Sequence, residues 1–202
     1  MLNIAVMVSG GGTNLQAIID AVESGRIEGA RIVLVVSSRA GAYALTRAST
    51  HGIPIFVAGK SEFPDDEERG AAIASALREA GADLIVLAGY MSILSPQLVG
   101  GFAGRIINIH PSLIPKHCGM GFYGKRVHMS VLAAGDAESG ATVHYVDEGV
   151  DTGPIILQER VPVRAGDDED SLAARVLEVE HRILVRAINR LIESNRLNNS
   201  TV

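Results

Sequence analysis

Apolar runs of strand length recur along the chain, and segments of helical period lie between them. The first run, NIAVMV at residues 3–8, is followed by TNLQAIIDAVESG. There Leu15, Ile18, Ile19 and Val22 recur at i, i+3, i+4 and i+7, which lines one face of a helix. RIVLVVSS (31–38), IPIFVAG (53–59), DLIVLAG (83–89) and RIINIH (105–110) read as further buried strands. AYALTRASTHG reads as a short helix. PDDEERGAAIASALREAGA reads as a longer one and opens with acids, which suit the positive end of a helix dipole. Near-continuous Val, Ile and Leu runs joined by helices predict an α/β fold, a parallel sheet covered by helices on both faces.

After residue 110 the pattern changes. PSLIPKHCGMGFYGK, rich in Pro and Gly, reads as a long loop, and RVHMSVLAAG as a helix. GATVHYVD and GPIILQERVPV read as strands separated only by EGVDT, so this part of the sheet is expected to be antiparallel and the whole sheet mixed. DDEDSLAARVLEVEHRILVRAINRLIES reads as a closing helix with Leu172, Val176, Val179, Ile183, Ala187 and Leu191 on one face. One domain is expected over residues 1–195, with a frayed tail at 196–202.

Composition narrows the class. A chain of 202 residues can bury a sizeable core. The formal net charge is -5, with no basic stripe, which argues against a reader of nucleic-acid backbones. The longest apolar runs are too short to span a bilayer, and the N-terminus lacks the basic region of a secretory signal. A single cysteine, Cys118, allows no intramolecular disulfide and speaks against a structural zinc site. A cytoplasmic protein that acts on small molecules, without metal, is the expectation. Monomer and homodimer both fit.

Two stretches carry chemistry. SGGGTNLQ (9–16) joins the first strand to the first helix, where backbone N–H groups and a helix N-terminus can hold an anion. The dinucleotide fingerprint fails, because Leu15 stands where its third glycine belongs, and no Lys-Ser/Thr pair completes a P-loop. A plain tight turn capped by Thr13 or Asn14 is the alternative. Arg39, just past the second strand, keeps open an NADP-dependent oxidoreductase. The second stretch is NIHPSLIP (108–115). Asn108 and His110 point to one side of a strand at its carboxyl end, where parallel sheets bind ligands. His144 and Thr142 share a face of a later strand, and Asp151 follows in a loop. An amide donor, an imidazole and a carboxylate, without a Ser or Cys nucleophile, suit acyl transfer by direct attack of a substrate amine. Asp151 is expected to favour the imidazolium form of His110.

These motifs resemble the phosphoribosylglycinamide formyltransferase family. The resemblance runs over about residues 1 to 195 and rests on SGGGTNLQAII, VLAGYMSILSP, GRIINIHPSLIP, GATVHYVDEGVDTGPII and LEVEH. It implies a Rossmann-like formyltransferase fold with a mostly parallel mixed sheet. It implies formyl transfer from 10-formyltetrahydrofolate, as co-substrate, to glycinamide ribonucleotide in purine biosynthesis. Asn108, His110 and Asp151 then become the catalytic set. Gly12, Thr13, Asn14 and Glu180 would bind the ribonucleotide. Met91, Ser92, Ile93, Leu94, Asn108, Val146 and Asp147 would bind the folate. Three features depart from better-known members: Ser92 and Asp66 replace common arginines, with Arg69 one turn from the latter, and the segment after residue 115 is longer. Gly119, Gly121 and Gly124 would let that segment hinge as a lid, and Lys116 and Lys125 could supply positive charge near the phosphate; the equal alternative is a static excursion with Phe122 buried and the lysines solvated. The nearest rival is a formyltetrahydrofolate deformylase, in which water replaces the amine. Methionyl-tRNA formyltransferase would need a further domain.

Overall fold

The computed structural model describes residues 1–199, with side chains through residue 194. Seven strands form one sheet: β1 (Leu2–Val8), β2 (Ala30–Ser37), β3 (Ile55–Val57), β4 (Leu84–Leu87), β5 (Ile106–His110), β6 (Glu138–Tyr145) and β7 (Ile155–Pro162). Six helices alternate with them: α1 (Thr13–Glu23), α2 (Tyr43–Thr50), α3 (Asp66–Glu79), α4 (Pro96–Gly101), α5 (Lys125–Ala134) and α6 (Glu169–Asn199). The spatial order is β3-β2-β1-β4-β5-β6-β7. The first five strands run parallel, and β6 pairs antiparallel with both β5 and β7. The architecture is therefore an α/β fold on a mostly parallel, mixed sheet.

The continuous apolar strands follow from burial on both faces. In β1, Ile4, Val6 and Val8 enter one core with α1 and α6, while Ala5 and Met7 enter a second core with α3 and α4. Every residue from Ile4 to Val8 is at most 0% exposed, so no polar face could be tolerated there. On α6 the expected stripe Leu172, Val176, Val179, Ile183 and Ala187 is buried and Leu191 partly so, and the helix packs against α1, β6 and β7.

Some boundaries differ from expectation. Strand β3 is only Ile55–Val57, an edge strand at the end of the sheet. Helix α4 went unread, although its start is marked: Ser95 Oγ accepts from the Leu98 amide and Pro96 occupies the first turn. Neither Thr13 nor Asn14 caps α1. Gly12 does, in a left-handed conformation (φ 72°), without a side-chain bond. Helix α6 continues to Asn199, past residue 195, and residues 200–202 of the expected tail lie outside the described residues.

The chain order reverses about β1, whose neighbours are β2 and β4. At such a switch point the connections leave in opposite directions and open a crevice beyond the carboxyl ends of the strands. The glycine turn leaves β1 there, the segment after β4 begins beside it, and His110 ends β5 next along the same edge.

Candidate active site

A cleft of about 680 Å³ occupies this edge. One end of its wall is Gly10 to Asn14 with Glu180, the other is Met91 to Leu94 with 146–150, and Asn108, His110, His144 and Asp151 stand between. Every residue expected to serve the reaction therefore lines one cavity. Arg39 and Arg69 do not line it. Arg69 is buried and pairs with Asp66 at 2.9 Å through Nη2. A second groove of about 660 Å³ lies between α1 and α6. Its arginines already have protein acceptors: Arg26 meets Ser24, Arg47 meets Gly11 and Gln16, and Arg182 and Arg186 meet Glu159.

The glycine turn is shaped from behind by α2. The Gly10 carbonyl accepts from the Ala44 amide at 3.0 Å, and the Gly11 carbonyl from Arg47 Nε at 2.9 Å. A trans peptide sets its N–H opposite its C=O, so the amides of Gly11 and Gly12 turn away from α2. Gly12 has no room for a side chain, since a Cβ there would lie 2.6 Å from the Ala44 Cβ. Asn14 is buried, and its amide donates to Glu180 Oε2 at 2.7 Å across 166 residues of sequence. Burial pushes the Glu180 carboxyl up to about 7, and the Asn14 bond opposes that only in part.

The polar centre is set by strand register. β5 and β6 pair Asn108 with His144 and His110 with Thr142, all on the sheet face opposite Ile107, Ile109 and Val143. Asp151 reaches in from the loop after β6, in a left-handed conformation (φ 59°) that Asp tolerates better than most residues. Its carboxylate lies 3.5 Å from His110 Nδ1 and 3.5 Å from His144 Nε2, and accepts from the Asn108 amide at 3.3 Å. The Gly119 amide donates to it at 2.9 Å. Burial would raise the Asp151 carboxyl, but His144 beside it, the charge of His110 when that ring is protonated, and the Gly119 amide hold it below the usual carboxylate range. His144 Nδ1 donates to the Tyr145 carbonyl at 2.7 Å, so in the neutral ring Nε2 is free to accept from Asn108 at 3.2 Å. Bonds of this length are at the weak end of the range, and a substrate oxygen can displace them.

One expectation is corrected. Burial pushes His110 below the ordinary histidine range, and the Asp151 anion restores only part of the loss. The neutral ring is thus favoured, against the expected imidazolium. Its Nε2 donates to the His117 carbonyl at 3.0 Å, which leaves Nδ1 as the free lone pair facing Asp151. Cys118 is no rival nucleophile, because burial and Asp151 push its thiol up, away from the thiolate.

Lys116 lies outside the cleft and Lys125 lines it, and the charge of each is taken up by a protein acid. They pair with Asp136 at 2.9 Å and Asp170 at 2.5 Å. The apolar wall is partly packing: Leu94 and Val146 join the second core, while Met91 and Ile93 are 45% and 66% exposed. Ser9 Oγ fixes the start of that wall by accepting from the Met91 amide at 2.8 Å. Asp147 Oδ1 is used within its own loop, by Gly149 and Thr152. His128, on α5, was not foreseen. It lines the cleft at 5% exposure, and its Nδ1 has no partner among the described residues. No motif flags it, because its helix reads as ordinary amphipathic sequence. Among the described residues no His, Cys, Asp and Glu cluster suited to a metal ion occurs, and no helix is long and apolar enough to cross a membrane.

Comparison with known proteins agrees with this geometry. The formyl transferase family matches residues 2–188. Phosphoribosylglycinamide formyltransferase from Haemophilus influenzae is 47% identical over 91% of this chain and 84% of its own length. A trifunctional purine biosynthetic protein from Drosophila pseudoobscura is 48% identical over 92% of this chain, which spans only 13% of that protein. The crystal structure of glycinamide ribonucleotide transformylase 1 from Symbiobacterium toebii superposes with a TM-score of 0.90 at 42% identity, over 96% of this chain and 89% of that one. A match over nearly the whole sheet, on a chain whose Asn, His and Asp meet in one cleft, places this protein in the formyl transferase family.

Proposed function

We propose that this chain transfers the formyl group of 10-formyltetrahydrofolate to the amine of N1-(5-phospho-D-ribosyl)glycinamide, a step of purine biosynthesis. The observation that carries the reading is the single cleft. An anion-binding turn with a buried acid closes one end, an apolar wall forms the other, and Asn108, His110 and Asp151 lie between. The ribonucleotide phosphate suits the amides of the turn formed by Gly12, Thr13 and Asn14. Its amino group suits Glu180. The folate ring suits the wall of Met91, Ser92, Ile93 and Leu94, with the backbone of Val146 and Asp147 at its rim.

In this reading the amine attacks the formyl carbon, and the carbonyl oxygen gains negative charge. Asn108 donates to that oxygen by giving up its weak bonds to His144 and Asp151. The amine sheds a proton to the free Nδ1 of His110, and Asp151 stabilises the imidazolium that forms. The carbon–N10 bond then breaks, and the proton returns to N10 of the leaving tetrahydrofolate.

The test is to mix purified protein with 10-formyltetrahydrofolate, with and without the ribonucleotide, and follow tetrahydrofolate and formate. Folate release that depends on the ribonucleotide, without formate, is expected. Formate release without the ribonucleotide would replace the reading by the deformylase. In His110→Ala, turnover should fall by about two orders of magnitude or more, the usual scale for a lost general base.

A further inference from the structure

His117 lies seven residues past His110, outside the wall of the cleft. Its backbone is left-handed (φ 52°), a conformation that costs a non-glycine residue energy and persists only where the surroundings impose it. The imposing groups are visible. The imidazole is clamped on both sides, Nδ1 to Ser130 Oγ at 2.8 Å and Nε2 to Asp136 Oδ2 at 2.9 Å. The Phe122 ring packs edge-on against it. Asp136 also takes Lys116 Nζ at 2.9 and 3.1 Å. The bond from His117, then that from Lys116, holds the Asp136 carboxyl below its ordinary range, so the anchor is an anion at neutral pH.

The same short turn touches both members of the reacting pair with backbone atoms. The His117 carbonyl accepts from His110 Nε2 at 3.0 Å, and the Gly119 amide donates to Asp151 Oδ2 at 2.9 Å. A carbonyl cannot donate. Its contact with Nε2 therefore selects the tautomer with the hydrogen on Nε2, and turns the Nδ1 lone pair towards Asp151.

We propose that His117 is a positioning residue. Its side-chain clamp on Ser130 and Asp136 holds the strained turn, whose carbonyl sets the tautomer of His110 and whose next amide but one places Asp151. The relevance to turnover rests on the formyl-transfer reading above. The tautomer claim does not.

The experiment compares the intact wild-type chain with His117→Ala, Asp136→Ala and His117→Asn. It measures the ring ¹⁵N shifts of His110, the kcat and KM for the ribonucleotide, and the pH–rate profile. His110 is faced by Asp151, His144 and His128 as well as by the turn, so all three remain in every variant. In wild type His110 should show the Nε2–H form. His117→Ala should give mixed tautomers, a kcat lower by about tenfold or more and a KM within about twofold, because a displaced catalytic group costs rate rather than binding. The acid limb of the pH–rate profile should move as well. Asp136→Ala, which leaves the turn's own residues in place, should move the same observables in the same direction. His117→Asn should recover most of the rate, since asparagine tolerates the left-handed backbone and keeps a polar side chain. An unchanged His110 tautomer in both alanine variants would overturn the proposal, and so would a KM that rises in step with the fall in kcat. If wild type transfers no formyl group but the tautomer still responds to His117→Ala, the positioning stands and the functional reading fails.

Discussion

Glu180 is a carboxyl at 8% exposure with one amide partner, and burial lifts it to about 7 from an ordinary 4.5. A carboxyl whose folded pKa is raised binds its proton more tightly folded than unfolded. Its stabilising contribution is complete below the unfolded value and is lost as pH rises through about 7. The difference corresponds to about 3 kcal/mol, to order of magnitude. Glu180→Gln should therefore stabilise the fold more at pH 8 than at pH 5, while weakening ribonucleotide binding. Thermal melts at the two pH values, with a binding titration, decide it. Equal shifts at both would remove the buried-carboxylate account. Neither the partnership with Asn14 nor the burial is legible in the sequence, because the two residues lie 166 positions apart. The protonation of His110 escaped for the same reason. A neighbouring Asp can be read from NIHP and VDT, but the cost of removing the ring from water depends on packing that only the fold supplies.

Among the elements, the glycine turn divides into positions of different kind. Gly12 is required by the fold, since its φ is 72° and a Cβ would press on the Ala44 Cβ at 2.6 Å and Cα at 2.9 Å. Gly10 and Gly11 face open space, with nothing within 4 Å of an added Cβ. Gly12→Ala should cost about 2 kcal/mol or more through strain and overpacking, and binding measured on it would be confounded by that loss. Gly11→Ala should leave the melting temperature nearly unchanged and weaken the ribonucleotide selectively, because it crowds the amides that would meet the phosphate. Equal melting losses in the two variants would contradict this division. The loop after β5 splits similarly. Its first part, 116–119, is tied to Asp136, His110 and Asp151, while Gly119, Gly121 and Gly124 have positive φ and Met120 is 73% exposed. The stretch from 120 to 124 carries fewer such ties, apart from Phe122 on the His117 ring, and is where a hinge would act. Trypsin cleavage at Lys125 or Arg126 should be slowed by bound ribonucleotide, and cleavage at Lys116, held by its ion pair and beside the clamp, should be slow with or without it. Fast cutting at Lys116 in the free protein would mean that the turn is not held. The apolar strands and long helices were legible because burial on both faces leaves a continuous hydrophobic signal. Helix α4 was passed over because one and a half turns give no period to read, although Ser95 and Pro96 announce its start.

Across the whole molecule, protonation is divided between opposing groups. His110, His128 and His181 are all pushed below the ordinary value of 6.5, in each case first by burial. A histidine whose folded pKa is lowered resists its proton in the native state. The unfolded chain takes up protons first, so stability falls as pH drops below about 6.5. Over the interval between 4.5 and about 7, Glu180 acts in the opposite sense. The stability curve of the wild type should therefore be flatter than that of Glu180→Gln, in which the histidines act alone. Urea titrations from pH 5 to 7.5 would show a steeper acid decline in the variant. Parallel curves would mean that one set of groups is not buried as described.

The pairing of β5 with β6 has a consequence for how this chain tolerates change. Asn108 stands opposite His144, and His110 opposite Thr142, on a face set by the burial of Ile107, Ile109 and Val143 on the other. A single residue inserted within 138–141, ahead of that pairing, need not disturb it if the extra residue is absorbed as a bulge. A slip of the pairing itself by one position would exchange the two faces of β6, sending His144 into the apolar layer and Val143 into the cleft. The hydrophobic core thus acts as a proofreader for the polar site: a mispaired sheet must place an already buried imidazole among apolar side chains without its polar partners, and is rejected on stability before it can fail at chemistry.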